Sequence, residues 1–356
     1  MLVTAVSFIF VLGILIFIHE LGHFLVAKRV GIRVERFSLG FPPNIFSRKW
    51  GETTYSIGVI PLGGYVKMAG EHPHEEVTGS PDEFMSRSVG QRAAVIFAGP
   101  FMNYVLSIVL LMGIFFFTGR AIFDQERVVV GEVVEDSPAH RAGLQVDDVI
   151  VAVNGESVSR FDSARVRINA VVADDLDLTW VRNTDTLRAT ITTVTEEIPN
   201  LDGGIDTVGI IGFSQKVLRY ERYSFTESIR HGFLTAHVIV WETVKFIKKV
   251  LAGQVSAKMI GGPIFIAQQS GKEAKKGASN LLFFMALLSV NLAVLNVLPI
   301  PILDGGHLVF LGLEKLKGSP LSVRARMVAQ QIGLVILLGL ILVVTYNDIL
   351  RWIRGI

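Results

Sequence analysis

The 356 residues are 50% hydrophobic with a mean hydropathy of +0.49, too apolar for an ordinary soluble enzyme of this length and in the range of polytopic membrane proteins. Lys plus Arg (34) nearly balances Asp plus Glu (32), so the formal charge of +2 gives no basis for a nucleic-acid partner. The absence of cysteine excludes a disulfide framework and a thiolate metal site, leaving His, carboxylate or amide groups as possible ligands.

The first apolar segment, about Leu2 to Val26, has neither a basic leader nor a small-residue cleavage site and reads as a retained spanning helix. It contains His19-Glu20-Leu21-Gly22-His23. On a helix, histidines four positions apart share a face and can reach one ion, while the adjacent carboxylate can take a proton from a metal-polarised water. A bare H-E-x-x-H arises by chance in roughly one protein in a hundred of this length. Context strengthens it. Each ionisable side chain near a bilayer centre costs about 2.5–3.5 kcal/mol, so three within five residues call for an offsetting function. The alternative is that the apolar run ends here and the three are solvated at the interface.

Thr53 to Met68 follows, with β-formers around Pro61, Gly63 and Gly64. It is expected to be a hairpin that dips into the membrane and offers an unpaired strand edge. About Ala93 to Phe117 is the second span.

Residues 121–215 hold 7 Arg, no Lys and 17 acidic residues, a net of −10. Strands are expected at Val128 to Val134, Asp147 to Val153, Leu176 to Val181 and Leu187 to Val194, with a short helix ending at Gly143 and a turn at Asn154-Gly155. Tyr223 to Val250 has helical periodicity with interspersed cations and is expected to be an amphipathic helix at the outer surface.

The third span runs from about Leu281 to Pro299. It leads into Asn296-Val297-Leu298-Pro299-Ile300-Pro301-Ile302-Leu303-Asp304-Gly305-Gly306-His307, where two prolines break the helix and leave an acid at membrane depth. Asp304 is the favoured third metal ligand, with His307 as its rival. The fourth span is centred on Ile332 to Val344 and reaches membrane length from Arg326 to Ile349. Four spans place both termini on one side. The cations after span one (Lys28, Arg29, Arg33, Arg36, Arg48, Lys49) and span three (Lys315, Lys317, Arg324, Arg326) assign those loops to the cytoplasm; Arg351 and Arg354 run weakly against the rule. The acidic segment then faces outward.

The pattern S-P-A-x-x-A-G-L-x-x-D-D-V-I-x-x-V-N-G resembles the bacterial PDZ domain, and one such domain fits in residues 124–215. The resemblance implies that Val208, Gly209, Ile210, Ile211, Gly212 and Phe213 receive an extended peptide by strand addition. Taken together, H-E-L-G-H, N-x-x-P-x-P-x-L-D-G, G-P-F-M-N, P-L-G-G-Y-V-K-M and the single PDZ domain resemble the site-2 protease family of intramembrane zinc metalloproteases, and within it the bacterial RseP type. This covers nearly the whole chain.

The resemblance implies zinc bound by His19, His23 and Asp304, with Glu20 as general base. Asn291 and Asn296 would lie beside the site and contact substrate, with helix-to-helix hydrogen bonding the equal alternative. Tyr55, Ile57, Val59, Gly63, Gly64 and Tyr65 would pair with an unwound substrate segment. Gly99 and Asn103 are expected only to pack the second span. The implied substrate is a transmembrane segment of a single-span protein, such as an anti-sigma factor already trimmed by a site-1 protease, or a signal-peptide remnant.

The implied location is the bacterial inner membrane. The PDZ domain would be periplasmic and act as a gate or filter, and the site would lie toward the cytoplasm. The expected fold class is a polytopic α-helical membrane protein with a membrane-associated β-hairpin and one inserted PDZ domain. Its expected parts are residues 1–120, 121–215, 216–277 and 278–356. Two features depart from the family pattern: room for one PDZ domain where enterobacterial members have two, and Gly40-Phe41-Pro42 where many relatives have G-F-G. An adaptor or chaperone that holds peptides without cleaving them has no need of Glu20. A metal transporter would line a path across the bilayer with polar residues.

Overall fold

The computed structural model describes residues 2–71, 78–199, 205–254 and 260–354. The chain divides into two compact units, one of residues 1–114, 225–248 and 256–356 and the other of residues 115–224 and 249–255.

Among the described residues four helices are long and apolar enough to cross a membrane, and they lie in the first unit save for the last turn of the second: α1 (Leu2–Arg29), α2 (Val89–Phe117), α7 (Ala278–Val297) and α9 (Val323–Arg354). Each overlaps a span expected from composition. The fold is that of a polytopic helical membrane protein, and its apolar surface follows from this, since lipid-facing side chains need no protein partner. Val335 (70% exposed) and Leu342 (71%) on α9 are examples. The packed interior is small: Val11 and Leu15 of α1 meet Met285 of α7, flanked by Leu106 and Leu110 of α2. A second cluster joins Ala27, Ile32, Val34, Met68, Val95, Ile96 and Leu311.

Between α1 and α2 lie β1 (Val34–Trp50) and β2 (Thr53–Met68). Their pairing differs from the expected hairpin. Arg36 to Leu39 stand beside Thr54 to Ile57 and also beside Gly64 to Lys67, while Phe46 to Trp50 pair with Thr53 to Ile57. Residues 36–39 therefore separate the two halves of β2. The 54–57 stretch is flanked on both sides, and the 64–67 stretch is paired within the sheet on one side.

α5 (Phe225–Leu251) departs from the expected surface connector. Ser228, Gly232 and Ala236, spaced by four, are its buried stripe, and a side chain at Gly232 would meet Met112 of α2. Eleven residues on, Thr243 Oγ1 donates to Asn291 Oδ1 of α7 at 2.8 Å. These contacts lie about 16 Å apart along the helix, so α5 packs lengthwise on the spans. α6 (Pro263–Lys276) has its N-terminus tied to α9: the amides of Gly262 and Phe265 donate to the buried Asp348 carboxylate at 3.1 and 3.0 Å.

The second unit has the strands and helices expected of a PDZ domain. Its elements are β3 (Arg120–Phe123), β4 (Val128–Val133), α3 (Pro138–Arg141), β5 (Val149–Val153), β6 (Glu156–Ser157), α4 (Phe161–Asn169), β7 (Asp175–Arg182), β8 (Asp185–Thr192), β9 (Val194–Pro199), β10 (Ile205–Ile210), β11 (Phe213–Gln215) and β12 (Val217–Glu221). The main sheet runs β11-β4-β5-β7-β8, with β6 on β5, and two separate pairs are β9 with β10 and β3 with β12. Alternating strand residues Val128, Val130, Leu176, Leu178 and Trp180 fill one core with Leu144, Ile150 and Ile191. The Asn154-Gly155 turn has both residues at positive φ (54° and 80°), as a two-residue hairpin turn requires.

Candidate metal centre

His19 and His23 lie on α1, and their four-residue spacing brings the two Nε2 atoms to 3.2 Å. The third group arrives from far along the chain. Leu298 leaves α7 in extended geometry, Pro299 and Pro301 prevent the helix from continuing, and a short turned segment leads to α8 (Asp304–Lys317). Asp304, the first residue of α8, puts Oδ2 at 3.1 Å from His19 Nε2 and Oδ1 at 3.7 Å from His23 Nε2. α8 is clamped in place by Glu314, whose carboxylate pairs with the buried Arg92 of α2 at 3.1 and 2.5 Å.

The three groups fit zinc. Ligand atoms about 2.0–2.1 Å from a tetrahedral ion stand about 3.3 Å apart, close to the spacings observed. Among the described residues Asp304 Oδ2 is buried without a hydrogen-bond donor, so a carboxylate oxygen and two imidazole nitrogens converge with no cation beside them. Among the described residues, His19, His23 and Asp304 form the one group of potential ligands close enough to hold a metal ion. His307, the rival ligand, is outside it. Its ring packs edge-on against Phe310 at 6.1 Å and borders a cavity of about 40 Å³ with Arg92, Glu314 and Arg326.

α2 backs both imidazoles. His23 Nδ1 lies 2.9 Å from the Val95 carbonyl, and His19 Nδ1 lies 3.2 Å from the Asn103 side-chain amide. Between them, one helical turn from each, a side chain at Gly99 would stand 2.3 Å from His23 Nε2 and 2.9 Å from His19 Cε1. Only glycine leaves room for the rings. From the other side, the backbone N–H of Val66 faces the Glu20 carboxylate. A side chain at Gly64 would sit 3.0 Å from Glu20 Cγ, so the strand lies directly on the acid.

The sequence profile of peptidase family M50 matches residues 7–340. The chain belongs to peptidase family M50. It is 31% identical over 425 residues to the zinc metalloprotease RasP of Geobacillus kaustophilus, covering 98% of each chain. With RasP of Oceanobacillus iheyensis it is 30% identical over 426 residues, covering 98% of this chain and 99% of the relative. A chain from Agrobacterium fabrum that also carries a zinc-metalloprotease name is 35% identical over 361 residues, covering 97% and 95%. The PDZ domain of an SdrC-like protein from Listeria monocytogenes aligns with 27% of this chain and 92% of its own length, at 18% identity and a TM-score of 0.20. This M50 peptidase is thus a membrane-embedded zinc metalloprotease with Zn2+ as its cofactor.

Of the residues expected at the site of this M50 peptidase, His19, Glu20, His23, Asp304 and Gly64 gather on α1, α8 and the 64–67 strand, whereas Gly63 lies against the Phe41 ring and Tyr65 stacks on Phe41 and accepts from Arg36. Tyr55 and Ile57 do not offer a free edge. Arg48 and Phe46 flank them on one side, Phe37 and Leu39 on the other. The Tyr55 ring instead packs among Phe24, Phe37 and Trp50. Val59 is half exposed beyond that stretch. Asn291 is engaged by Thr243, while Asn296 is half-buried and its side chain makes no hydrogen bond among the described residues.

In the PDZ domain, Val208, Gly209 and Ile210 pair with β9, and Ile211 is in the core with its carbonyl accepting from Ala139 N–H at 2.8 Å. Gly212 holds φ at +86°, and its carbonyl accepts from Val134 N–H at 2.9 Å. Phe213 alone of the six lies on the sheet's outer strand, β11, with its ring 5.8 Å from Phe161 of α4. Val66, Val95 and Thr243 were not anticipated. A backbone donor or acceptor carries no residue-type signal, and for Thr243 the helix partner had to be known first.

Proposed function

We propose that this peptidase cleaves transmembrane segments of single-span membrane proteins, including anti-sigma factors trimmed by an upstream protease and signal-peptide remnants, in the bacterial cytoplasmic membrane. The observation that carries the reading is the His19, His23 and Asp304 triad. It has an orphaned carboxylate oxygen, belongs to the same bundle as the apolar spans, and lies one residue from an acid packed against a strand. Bound zinc supplies Lewis acidity toward water and the scissile carbonyl.

The chain's own residues do the rest. Glu20, next to His19, accepts the proton from the attacking water and returns it to the leaving amine, with the strand at Gly64 lying directly against its side chain. A helical peptide bond is closed to attack, so the substrate must be unwound. The outer edge of residues 63–67 offers backbone hydrogen bonds to hold it extended against Glu20. Asn296, whose side-chain amide has no partner among the described residues, suits the role of holding an unwound backbone better than Asn291. The charge asymmetry of the loops supports a PDZ domain on the outer side, an outer region extending over residues 121–215, and a catalytic site nearer the cytoplasm. The outer edge of β11 beside α4 is then its peptide-receiving strand.

The test is reconstitution with a model single-span substrate, comparing wild type with Glu20→Gln, with and without a zinc chelator. Cleavage by wild type that stops in both other conditions is the expected result. Cleavage that survives Glu20→Gln refutes the mechanism. Absence of cleavage in all conditions, with retained binding of a hydrophobic C-terminal peptide, favours an adaptor instead.

A further inference from the structure

We infer that Asn103 is a positioning residue for the metal centre: its side-chain oxygen accepts the proton of His19 Nδ1 and so holds that imidazole with Nε2 turned to the metal. This rests on the reading of His19, His23 and Asp304 as zinc ligands.

A neutral imidazole carries one proton, and a ring that binds metal through Nε2 keeps it on Nδ1, where it needs an acceptor. His23 meets that need through the Val95 carbonyl. The corresponding atom of His19 faces no backbone carbonyl among its hydrogen bonds; it faces the Asn103 amide at 3.2 Å. Positions 95, 99 and 103 recur every four residues on α2, so one helix face serves both histidines, with Gly99 clearing the space between.

Asn103 is completely buried, and its Oδ1 is among the buried atoms without a partner when Nδ2 is turned to His19. A half-turn of the amide exchanges the two atoms, and only oxygen can accept. Once zinc fixes the proton on Nδ1, Oδ1 is the atom that faces the ring. The backbone is anchored from α7 as well, because Ser289 Oγ donates to the Asn103 carbonyl at 2.7 Å. This departs from the purely packing role expected for Asn103 from its place in the second span.

Two substitutions separate positioning from packing. Asn103→Leu keeps much of the volume and removes the acceptor, whereas Asn103→Asp keeps an acceptor and gives up the amide. Zinc affinity of the full chain in nanodiscs is read by competition with a chromophoric chelator. Positioning predicts that Asn103→Leu binds zinc about 10–100-fold more weakly, while Asn103→Asp stays within about threefold of wild type or tightens, since a carboxylate–histidine–zinc arrangement raises ligand basicity. Packing predicts the reverse order, because a buried carboxylate is the costlier change between helices. If Asn103→Leu does not accumulate as folded protein, Asn103→Ala carries the same expectation. An acceptor-free variant that binds zinc like wild type, or an Asn103→Asp as weak as it, overturns the inference and leaves the zinc reading intact. Wild type that binds no zinc overturns both.

Discussion

Two carboxylates with buried oxygens, in different parts of this peptidase, show how finished and unfinished polar sites differ. Asp148 of the PDZ domain is 1% exposed, and its oxygens are bonded: Arg182 Nε and Nη2 donate at 2.8 Å each and the Gln145 N–H at 2.8 Å. Asp304 of the membrane unit has a buried Oδ2 with no donor, turned toward two imidazoles. The first carboxylate is complete within the protein and serves its fold. The second is complete only with a cation, so its cost in the apo protein is offset by ligand binding. Asp348 belongs with the first: both oxygens accept backbone N–H groups at the start of α6, and Arg351 stands 3.7 Å away.

The contrast can be broken in steps, beginning with the reaction itself. Glu20→Gln should lower turnover by about 10²–10⁴-fold with zinc still bound, the range a positioned general base contributes. Cleavage assays paired with metal analysis check this; loss of zinc in the same variant would recast Glu20 as part of the ligand set. Asp304→Asn should weaken zinc binding by more than about 100-fold, beyond the effect usual for an outer-shell partner, while melting of the PDZ domain stays unchanged. Asp148→Ala should do the opposite. It leaves the Arg182 guanidinium partly buried and unpaired, lowering PDZ stability by about 2–4 kcal/mol after allowance for Arg182 being 30% exposed, with zinc affinity unaltered. Hydrogen exchange of the PDZ amides in the full chain reads it.

The same pair sets a pH dependence. Burial pushes the Asp148 carboxyl up, but the Arg182 guanidinium and the Gln145 N–H outweigh it and hold the group below the usual carboxylate range. A carboxyl whose folded value is depressed contributes stability above its unfolded value, near pH 4, and that contribution disappears as pH falls through the folded value. PDZ stability should therefore hold from pH 7 to about pH 4 and decline below. Asp148→Asn should flatten the decline, and an unchanged acid limb in that variant would assign the dependence to other groups.

Legibility in the sequence follows the solvent each region faces. In the PDZ domain, one face of each strand meets water, so alternation at Val128 and Val130 or at Leu176, Leu178 and Trp180 marks strand and core together. Asn154-Gly155 and Gly143 mark a turn and a helix end by their required φ. In the membrane unit both lipid and protein are apolar. Composition marks α1, α2, α7 and α9 but says little about which faces meet. The ligands were legible because ionisable residues at membrane depth stand out. Asn103 stood out too, yet its role depends on a neighbour 84 residues away. The order of the β1 and β2 stretches was hidden for another reason: β-formers around Pro61 and Gly63 fit a hairpin locally, and only the insertion of residues 36–39 puts Tyr55 and Ile57 inside the sheet.

The smallest expected effect separates the two intramembrane asparagines. If Asn291 serves only to tie α5 to α7, Thr243→Val and Asn291→Leu each lose the same hydrogen bond, worth about 0.6 kcal/mol on average inside membranes. The double variant then costs no more than the larger single change, and KM for a single-span substrate stays put in all three. If Asn291 also holds substrate, Asn291→Leu raises KM, and Thr243→Val, which frees the amide, leaves KM level or lowers it. Asn296→Leu is the reference. Its side-chain amide has no partner among the described residues, so a rise in KM without a fall in melting temperature places substrate contact there and leaves Asn291 to the helix packing that its bond to Thr243 already describes.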